Sequence, residues 1–302
     1  MTGFAGKRLG TRLGIGGTLI AVLLAILYVD RHSPVPFLSS GVAFLVGLGA
    51  LREYAAMLAA RGGPVLLGRA MLLGGALVMA ARPIDAAAGL GLGATAVFGA
   101  AVVATLILGI ATIGEWRTRE VEPDALSHAA GAFLGLFFVA VPLALLIEIG
   151  CLGGPETSTA GTPGIFLMMF TLFASKLNDM GGYLVGAAAG RTRLWPAISP
   201  NKSLEGFLAG IVASCVFAYV AATRIDVIAA TGLGGVRAVI FAAAVSVATV
   251  SGDLFESFLK RAVRVKDSAN LLPAFGGLFD LVDSFIFAVP VGYTLLRVWL
   301  GP

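Results

Sequence analysis

Long stretches without a charged residue recur along this chain, and they constrain its fold more than any other feature. A helix needs about 20 mostly apolar residues to cross the hydrocarbon core of a bilayer. Ser33 to Leu51, Ala86 to Gly114 and Ala125 to Ile147 all reach about that length without a charge. This recurrence predicts an all-α, polytopic integral membrane protein.

Composition excludes two large classes of protein. Hydrophobic residues make up 58% of the chain and charged residues 13%, and the mean hydropathy is +0.95. A soluble domain carries about 25% charged residues, and a disordered chain combines low hydrophobicity with high charge. The net charge of +4 is small, so no nucleic-acid partner is expected. Cys151 and Cys215 are too few for a disulfide framework or a four-thiolate metal site.

The apolar stretches divide into nine predicted membrane-spanning helices. They lie near residues 13–30, 35–58, 65–81, 87–113, 128–150, 164–188, 205–223, 236–258 and 279–299. The glycine-rich residues 86–95 leave a second interpretation open, in which this segment is a loop. Lys7, Arg8 and Arg12 precede the first helix, as they would in a cleaved signal peptide. A retained helix is favoured because no small-x-small cleavage site stands just before Asp30.

The Lys and Arg residues fall mainly on one side of these predicted helices. Of the 21, all but five lie in the loops that share a side with the N-terminus, the exceptions being Arg31, Arg82, Arg224, Arg237 and Arg297. Short cytoplasmic loops carry an excess of positive residues. We therefore predict a cytoplasmic N-terminus and a C-terminus on the outer side of the membrane.

Polar residues are unevenly distributed between the two halves of the chain. Residues 1–165 have their charges in loops and are interpreted as a transmembrane scaffold. Residues 166–302 contain two segments, 175–206 and 251–284, that are dense in polar residues and interrupted by Gly and Pro. We interpret this second region as the catalytic one.

Acidic residues in segment 251–284 predict a metal site. Asp253, Glu256 and Lys260 share one helix face with Ser257, and Asp280 and Asp283 share a face of the last helix. Charges near membrane depth are costly unless they are paired, hydrated or bound to an ion. Carboxylate oxygens suit Mg²⁺, so Asp253, Asp280 and Asp283 are the candidate ligands. The simpler alternative is that these acids only pair with neighbouring Lys or Arg.

Basic residues beside these acids, and a second motif upstream, predict a phosphate site. The basic cluster comprises Lys260, Arg261, Arg264 and Lys266, and its simpler interpretation is a positive-inside anchor. In the upstream octapeptide SPNKSLEG (199–206), Ser199 to Asn201 predict a turn and Ser203 an N-cap. Lys202 and the following helix N-terminus could hold an anion. Asn178 and Asp179 are expected to face the same cavity, although Asp179 could instead be an interfacial helix breaker.

At these residues the sequence resembles the phosphatidate cytidylyltransferases, or CDP-diacylglycerol synthases. Three of that family's motifs occur in order between residues 178 and 284. The matching residues are Asn178, Asp179, Tyr183 and Gly186; Ser199, Pro200, Asn201, Lys202, Glu205 and Gly206; and Ser257, Leu259, Lys260, Arg261, Lys266, Asp267, Leu272, Pro273, Gly276, Gly277, Asp280, Asp283 and Ser284. Two positions depart from the family pattern, because Phe275 stands where the family usually has His and Leu281 where it usually has Arg.

The resemblance implies transfer of CMP from CTP to phosphatidate in the bilayer. It also implies Mg²⁺ as the cofactor and leaves a second cation open. Catalytic roles are expected for Lys260, Arg261, Lys266 and Asp267, and substrate binding for Asn178, Asp179, Ser199, Asn201, Lys202 and Glu205. A phosphomonoester is mostly dianionic at pH 7, so no general base is required. A homodimer is one expected assembly.

Three alternatives stay open at this point. The two departures allow a relative that acts on another lipid phosphate, or a catalytically silent one. A secondary transporter would place its acids near the bilayer midplane and in paired halves, whereas the acids here crowd one side of the second half.

Overall fold

Eight long helices, two short ones and one hairpin make up most of the part of the chain that the structure describes. The computed structural model describes residues 21–22, 24–26, 28–31, 36–117, 120–152, 163–265, 268–269 and 276–301. The helices are α1 (Phe37–Ala59), α2 (Val65–Ala88), α3 (Ala94–Glu115), α4 (Ala125–Gly150, with a π-helical turn at Leu136–Ala140), α5 (Pro163–Ala189), α6 (Leu204–Arg224), α7 (Asp226–Ala230), α8 (Gly235–Ala262), α9 (Leu278–Val282) and α10 (Phe285–Leu300). The strands β1 (Arg193–Trp195) and β2 (Ser199–Ser203) pair in antiparallel fashion.

These helices confirm the predicted all-α, polytopic membrane fold. Within the described residues, seven helical segments are long and apolar enough to cross a membrane, counting α9 and α10 as one. The 27-residue α5 is a further long helix, which carries Lys176 and Asp179 in its second half. The predicted helix near 13–30 falls mostly outside the described residues. The predicted count of nine therefore stays a prediction, as does the division at residues 1–165 and 166–302.

Two boundaries predicted from the sequence were wrong. The helix predicted near 65–81 is longer in the structure, because α2 continues to Ala88. The helix predicted near 87–113 starts later, because α3 begins only at Ala94. Residues 89–93 form a loop, as the second interpretation of 86–95 proposed. Gly89, Gly91 and Gly93 all have positive φ there, a conformation that favours glycine and ends a helix.

The predicted turn at Ser199 to Asn201 was also wrong, because these residues belong to β2 and the turn lies at residues 196–198. The predicted N-cap is confirmed, since the Ser203 hydroxyl accepts a hydrogen bond from the Gly206 amide at 3.2 Å. The last predicted helix, 279–299, is interrupted at residues 283–284 between α9 and α10.

Glycines bring α5 and α6 into backbone contact. A Cβ atom on Gly206 would lie 2.6 Å from the carbonyl oxygen of Gly182, and one on Gly210 would lie 2.6 Å from that of Asn178. Small residues permit such close helix crossings within a membrane. The crossing places the end of α5, the hairpin and the start of α6 around one cavity.

Candidate active site

A cavity of about 630 Å³ opens at the end of the bundle where α5 ends and α6 begins. We refer to it as the site cavity. Its lining comes from α5, the β1–β2 hairpin, α6, α8 and the α9–α10 break. The charged and amide side chains of the lining belong to Lys176, Asn178, Asp179, Arg193, Asn201, Lys202, Asp253, Asp280 and Asp283.

Three carboxylates converge beside this cavity, and we call them the acidic cluster. One oxygen from each of Asp253, Glu256 and Asp283 lies within 4.8 Å of the other two. Asp253 and Glu256 are one helical turn apart on α8, whereas Asp283 follows α9 at the break in the last helix. A Cβ on Gly252 would lie 2.6 Å from the Asp283 carbonyl oxygen. The glycine therefore allows the two backbones to approach and the three acids to meet.

The acidic cluster fits a hard divalent cation. Glu256 is 1% exposed, and its Oε2 atom has no hydrogen-bond partner in the described part of the chain. Like charges at this separation repel unless a cation lies between or beside them. Carboxylate oxygens are preferred ligands of Mg²⁺, and each of the three side chains offers at least one such oxygen.

Asp280 lies in the lining of the same cavity but outside the acidic cluster. Its carboxylate accepts hydrogen bonds from the Gly277 amide at 2.8 Å and from Lys260 Nζ at 3.1 Å. Gly276 has a φ of +85°, and a side chain there would overlap the Asp280 carboxylate. In this structure Asp280 fixes the start of α9, where an acidic group is also favoured by the helix dipole.

Lysines from three elements pair with acidic side chains in or beside the site cavity. Lys202 forms an ion pair with Asp253 at 2.7 Å, and Lys260 forms one with Glu256 at 2.7 Å. Lys176 donates to the Ser284 hydroxyl at 2.7 Å and lies 3.7 Å from Asp179. The cavity therefore combines oxygen ligands for a metal with cations that can contact phosphate.

The other predicted site residues are placed differently. Asn178, Asp179 and Asn201 line the cavity, whereas Ser199, Glu205 and Arg261 are not among its described lining. Glu205 accepts hydrogen bonds from the amides of Arg191 and Thr192, each at 3.1 Å, and so ties the loop before β1 to α6. Ser199 pairs with Trp195 in the hairpin, and Arg261 is exposed. Lys266 and Asp267 lie outside the described residues.

Three residues of this region were not assigned from the sequence as site residues. Glu256 had the right helical spacing from Asp253 but was not selected as a ligand. Lys176 was counted only as a basic loop residue, although it lies inside α5 three residues before Asp179. Arg193 lines the cavity and donates to the Asn201 carbonyl at 3.2 Å. The i, i+3 spacing of Lys176 and Asp179 was the one signal that could have identified that lysine.

Comparison with known protein families identifies a family for this chain. The model of the Cytidylyltransferase family matches residues 10–299. The chain belongs to the Cytidylyltransferase family. The resemblance drawn from the three motifs is therefore confirmed, and the match extends through the N-terminal helices as well.

Curated relatives of this cytidylyltransferase-family protein come from several bacteria. A phosphatidate cytidylyltransferase of Bacillus subtilis is 44% identical over 122 residues, covering 40% of this chain and 44% of the relative. One from Thermotoga maritima is 34% identical over 134 residues, covering 44% and 50%. The uncharacterized protein YnbB of Escherichia coli is 31% identical over 176 residues, covering 58% and 56%. The chain thus spans about half the length of the curated relatives that it matches.

Proposed function

We propose that this protein is a phosphatidate cytidylyltransferase of phospholipid biosynthesis. It would transfer CMP from CTP to phosphatidate and release pyrophosphate, giving CDP-diacylglycerol. The observation that carries the proposal is the acidic cluster of Asp253, Glu256 and Asp283, which borders a cavity that also contains Lys176 and Lys202. Family membership and the names of the bacterial relatives support the same reaction.

The reaction requires two polyanions to be held together. A phosphate oxygen of phosphatidate attacks the α-phosphorus of CTP, and the bond from that phosphorus to the β-phosphate bridging oxygen breaks. Because the attacking phosphate is already mostly ionised at pH 7, no side chain has to remove its proton. Positioning and neutralisation of charge are the main demands. Lys176 and Lys202 line the cavity and would supply positive charge there, and Lys260 would add to it through its ion pairs with Glu256 and Asp280.

The acidic cluster would hold Mg²⁺, which when bound neutralises charge on the triphosphate and on the leaving pyrophosphate. The sequence proposed Asp253, Asp280 and Asp283 as ligands; we keep Asp253 and Asp283 and add Glu256, because these three carboxylates converge. Asp280 is proposed to orient Lys260, to which it is hydrogen bonded. Catalytic roles for Arg261, Lys266 and Asp267 stay predictions, as does a second cation.

The position of the cavity at one end of the bundle suits one substrate from the bilayer and one from the aqueous phase. Phosphatidate lies in a leaflet and CTP in the aqueous phase, so the chemistry has to occur at their boundary. The cavity opens at the end of the bundle that carries most of the loop Lys and Arg residues. By the positive-inside rule we propose that this end is cytoplasmic, in a bacterial inner membrane. A homodimer remains part of the proposal.

Purified protein is expected to convert CTP and phosphatidate to CDP-diacylglycerol and pyrophosphate when Mg²⁺ is present. Excess EDTA should abolish the reaction, and restored Mg²⁺ should recover it. Product formation is followed by thin-layer chromatography with labelled CTP, in parallel with lysophosphatidate and prenyl phosphate as acceptors. A Mg²⁺-dependent product only from another acceptor would replace phosphatidate in the proposal. Absence of pyrophosphate release with every acceptor would overturn it.

Adding one methyl group beside the acidic cluster should impair this reaction. In Gly252→Ala the new Cβ meets the Asp283 carbonyl oxygen, so α8 and the α9–α10 break must move apart. A misplacement of about 1 Å can cost about 10²-fold in rate, and we expect a loss of that order. The measurement is kcat in the same assay. Gly109→Ala is the matched control, because a Cβ at this α3 position meets no described atom within 4 Å. Equal activities of the two variants would contradict the expectation.

A further inference from the structure

A buried glutamate of α1, in the N-terminal half of the chain, binds the start of α9, which lies beside the site cavity. Glu53, on α1, is 8% exposed. Its Oε1 atom accepts a hydrogen bond from the Leu278 amide at 2.9 Å, and its Oε2 atom accepts one from the Phe279 amide at 3.0 Å. The Ser268 hydroxyl donates to Oε2 at 2.7 Å. One carboxylate thus binds the first two amides of α9 and a residue of the preceding loop.

Packing around Glu53 is adapted to this contact. A Cβ on Gly277 would overlap both the Glu53 carboxylate and the Ser268 hydroxyl, and a Cβ on Gly49 would overlap the Leu278 side chain. The Tyr54 ring, next along α1, lies 5.4 Å from the Phe279 ring between centroids. The α1 surface therefore receives the start of α9 by both polar and apolar contacts.

The loop between α1 and α2 follows Glu53 along the chain, and it contacts the end of α8. Arg61 donates a hydrogen bond to the carbonyl oxygen of Ala262, the last residue of α8. An anion at a helix N-terminus and a cation at a helix C-terminus both interact favourably with the helix dipole. Residues 53 and 61 thus hold the start of the short α9, which carries Asp280 and leads to Asp283, and the end of α8, which carries Lys260.

We propose that Glu53 is a positioning residue for the cytidylyl transfer, which fixes α9 so that Asp280 and Asp283 stand at the site cavity. It acts through the α9 amides and touches neither substrate nor metal. In its activity and Mg²⁺ readouts this inference rests on the proposed function, whereas its deuterium-uptake readout does not. It also gives the N-terminal helices a role in the chemistry beyond that of a membrane scaffold.

The test compares Glu53→Gln with the wild type in three measurements on detergent-purified protein. Glutamine keeps the shape but loses the charge and one acceptor, so a charge-assisted pair of hydrogen bonds is weakened. We expect deuterium uptake to be about tenfold faster in peptides that contain Leu278 and Phe279, with α6 peptides unchanged. The Mg²⁺ concentration that half-protects residues 278–289 from exchange should rise several-fold, and kcat should fall by about tenfold.

The Mg²⁺ midpoint separates positioning from irreversible loss of folded protein, because protein that has aggregated binds no Mg²⁺ and leaves the midpoint of the remaining protein unchanged. Ser268→Ala removes one of the three hydrogen-bond donors to Glu53, so it should shift all three readouts in the same direction but by less. This second variant tests the inference if Glu53→Gln does not fold. Glu122→Gln, an exposed acid of the same half, is the control. Unchanged uptake at α9, or faster uptake with an unchanged midpoint and kcat, overturns the inference. A wild type that makes no CDP-diacylglycerol overturns the proposed function, and deuterium uptake still decides the role of Glu53.

Discussion

Replacing Asp283 with asparagine is expected to reduce CDP-diacylglycerol formation by about 10²- to 10³-fold, a loss typical of removing one essential electrostatic contact from an active site. The substitution keeps the shape of the side chain and removes its charge from the acidic cluster. Asp253 and Glu256 would then be the remaining charged ligands, with oxygens within 4.8 Å of the residue 283 side chain. An amide oxygen is a weaker ligand for Mg²⁺ than a carboxylate, so the Mg²⁺ concentration for half-maximal activity should also rise.

The measurement is a Mg²⁺ titration of initial rate at saturating CTP and phosphatidate. Asp226→Asn supplies a matched control, because Asp226 is an exposed aspartate on α7, at the start of that helix. Reduced repulsion within the cluster should leave the Asp283→Asn protein at least as stable as the wild type in the absence of Mg²⁺. Full activity of Asp283→Asn would remove this residue from the metal site and with it the main support for the proposed chemistry.

The part of the site that the sequence predicted is the part encoded within single helices. Asp253, Asp280 and Asp283 could be proposed because charges are rare in this chain, and helical spacing places Asp253 on a defined face of α8. Asp283, in contrast, lies in the break between α9 and α10 rather than on the predicted helix face. Spacing also placed Glu256 beside Asp253. It could not decide whether Glu256 faces a lysine or a metal, and in the structure it contacts Lys260 while sharing the cluster with Asp283.

Contacts between distant segments were beyond prediction. No periodicity relates Glu53 to Leu278, which are 225 residues apart, because such a pairing depends on how α1 packs against α9. The break at residues 283–284 was missed for a similar reason. The spacing of Asp280 and Asp283 fits a continuous helix, whereas in the structure the break at residues 283–284 lies where Gly252 of α8 closely approaches the Asp283 carbonyl oxygen. The seven spans, in contrast, follow from length and hydropathy alone.

Lys260→Met is expected to destabilise the protein by about 3–5 kcal/mol, the cost of removing one partner from a buried ion pair. The Lys260 side chain is 14% exposed and lies 2.7 Å from Glu256 and 3.1 Å from Asp280. Asp280 keeps its bond from the Gly277 amide, but Glu256 would be left without its cation. Methionine retains most of the aliphatic volume, so the loss is one of charge rather than packing. The midpoint of thermal unfolding in detergent, measured without Mg²⁺, should fall accordingly.

Neutralising Glu256 as well separates stability from chemistry. In Glu256→Gln/Lys260→Met the buried Glu256 carboxylate is no longer left without a cation, and replacing both partners of a buried pair is often close to neutral. Asp280 still loses its bond from Lys260, so the double variant should regain only the part of the lost stability that comes from Glu256. We expect Lys260→Met to lose most of its activity with its cation for the triphosphate, and the double variant should stay as inactive because it has also lost a carboxylate of the acidic cluster. Recovery of activity together with stability would mean that Glu256 and Lys260 only stabilise the fold, and that the metal is held by Asp253 and Asp283 without them.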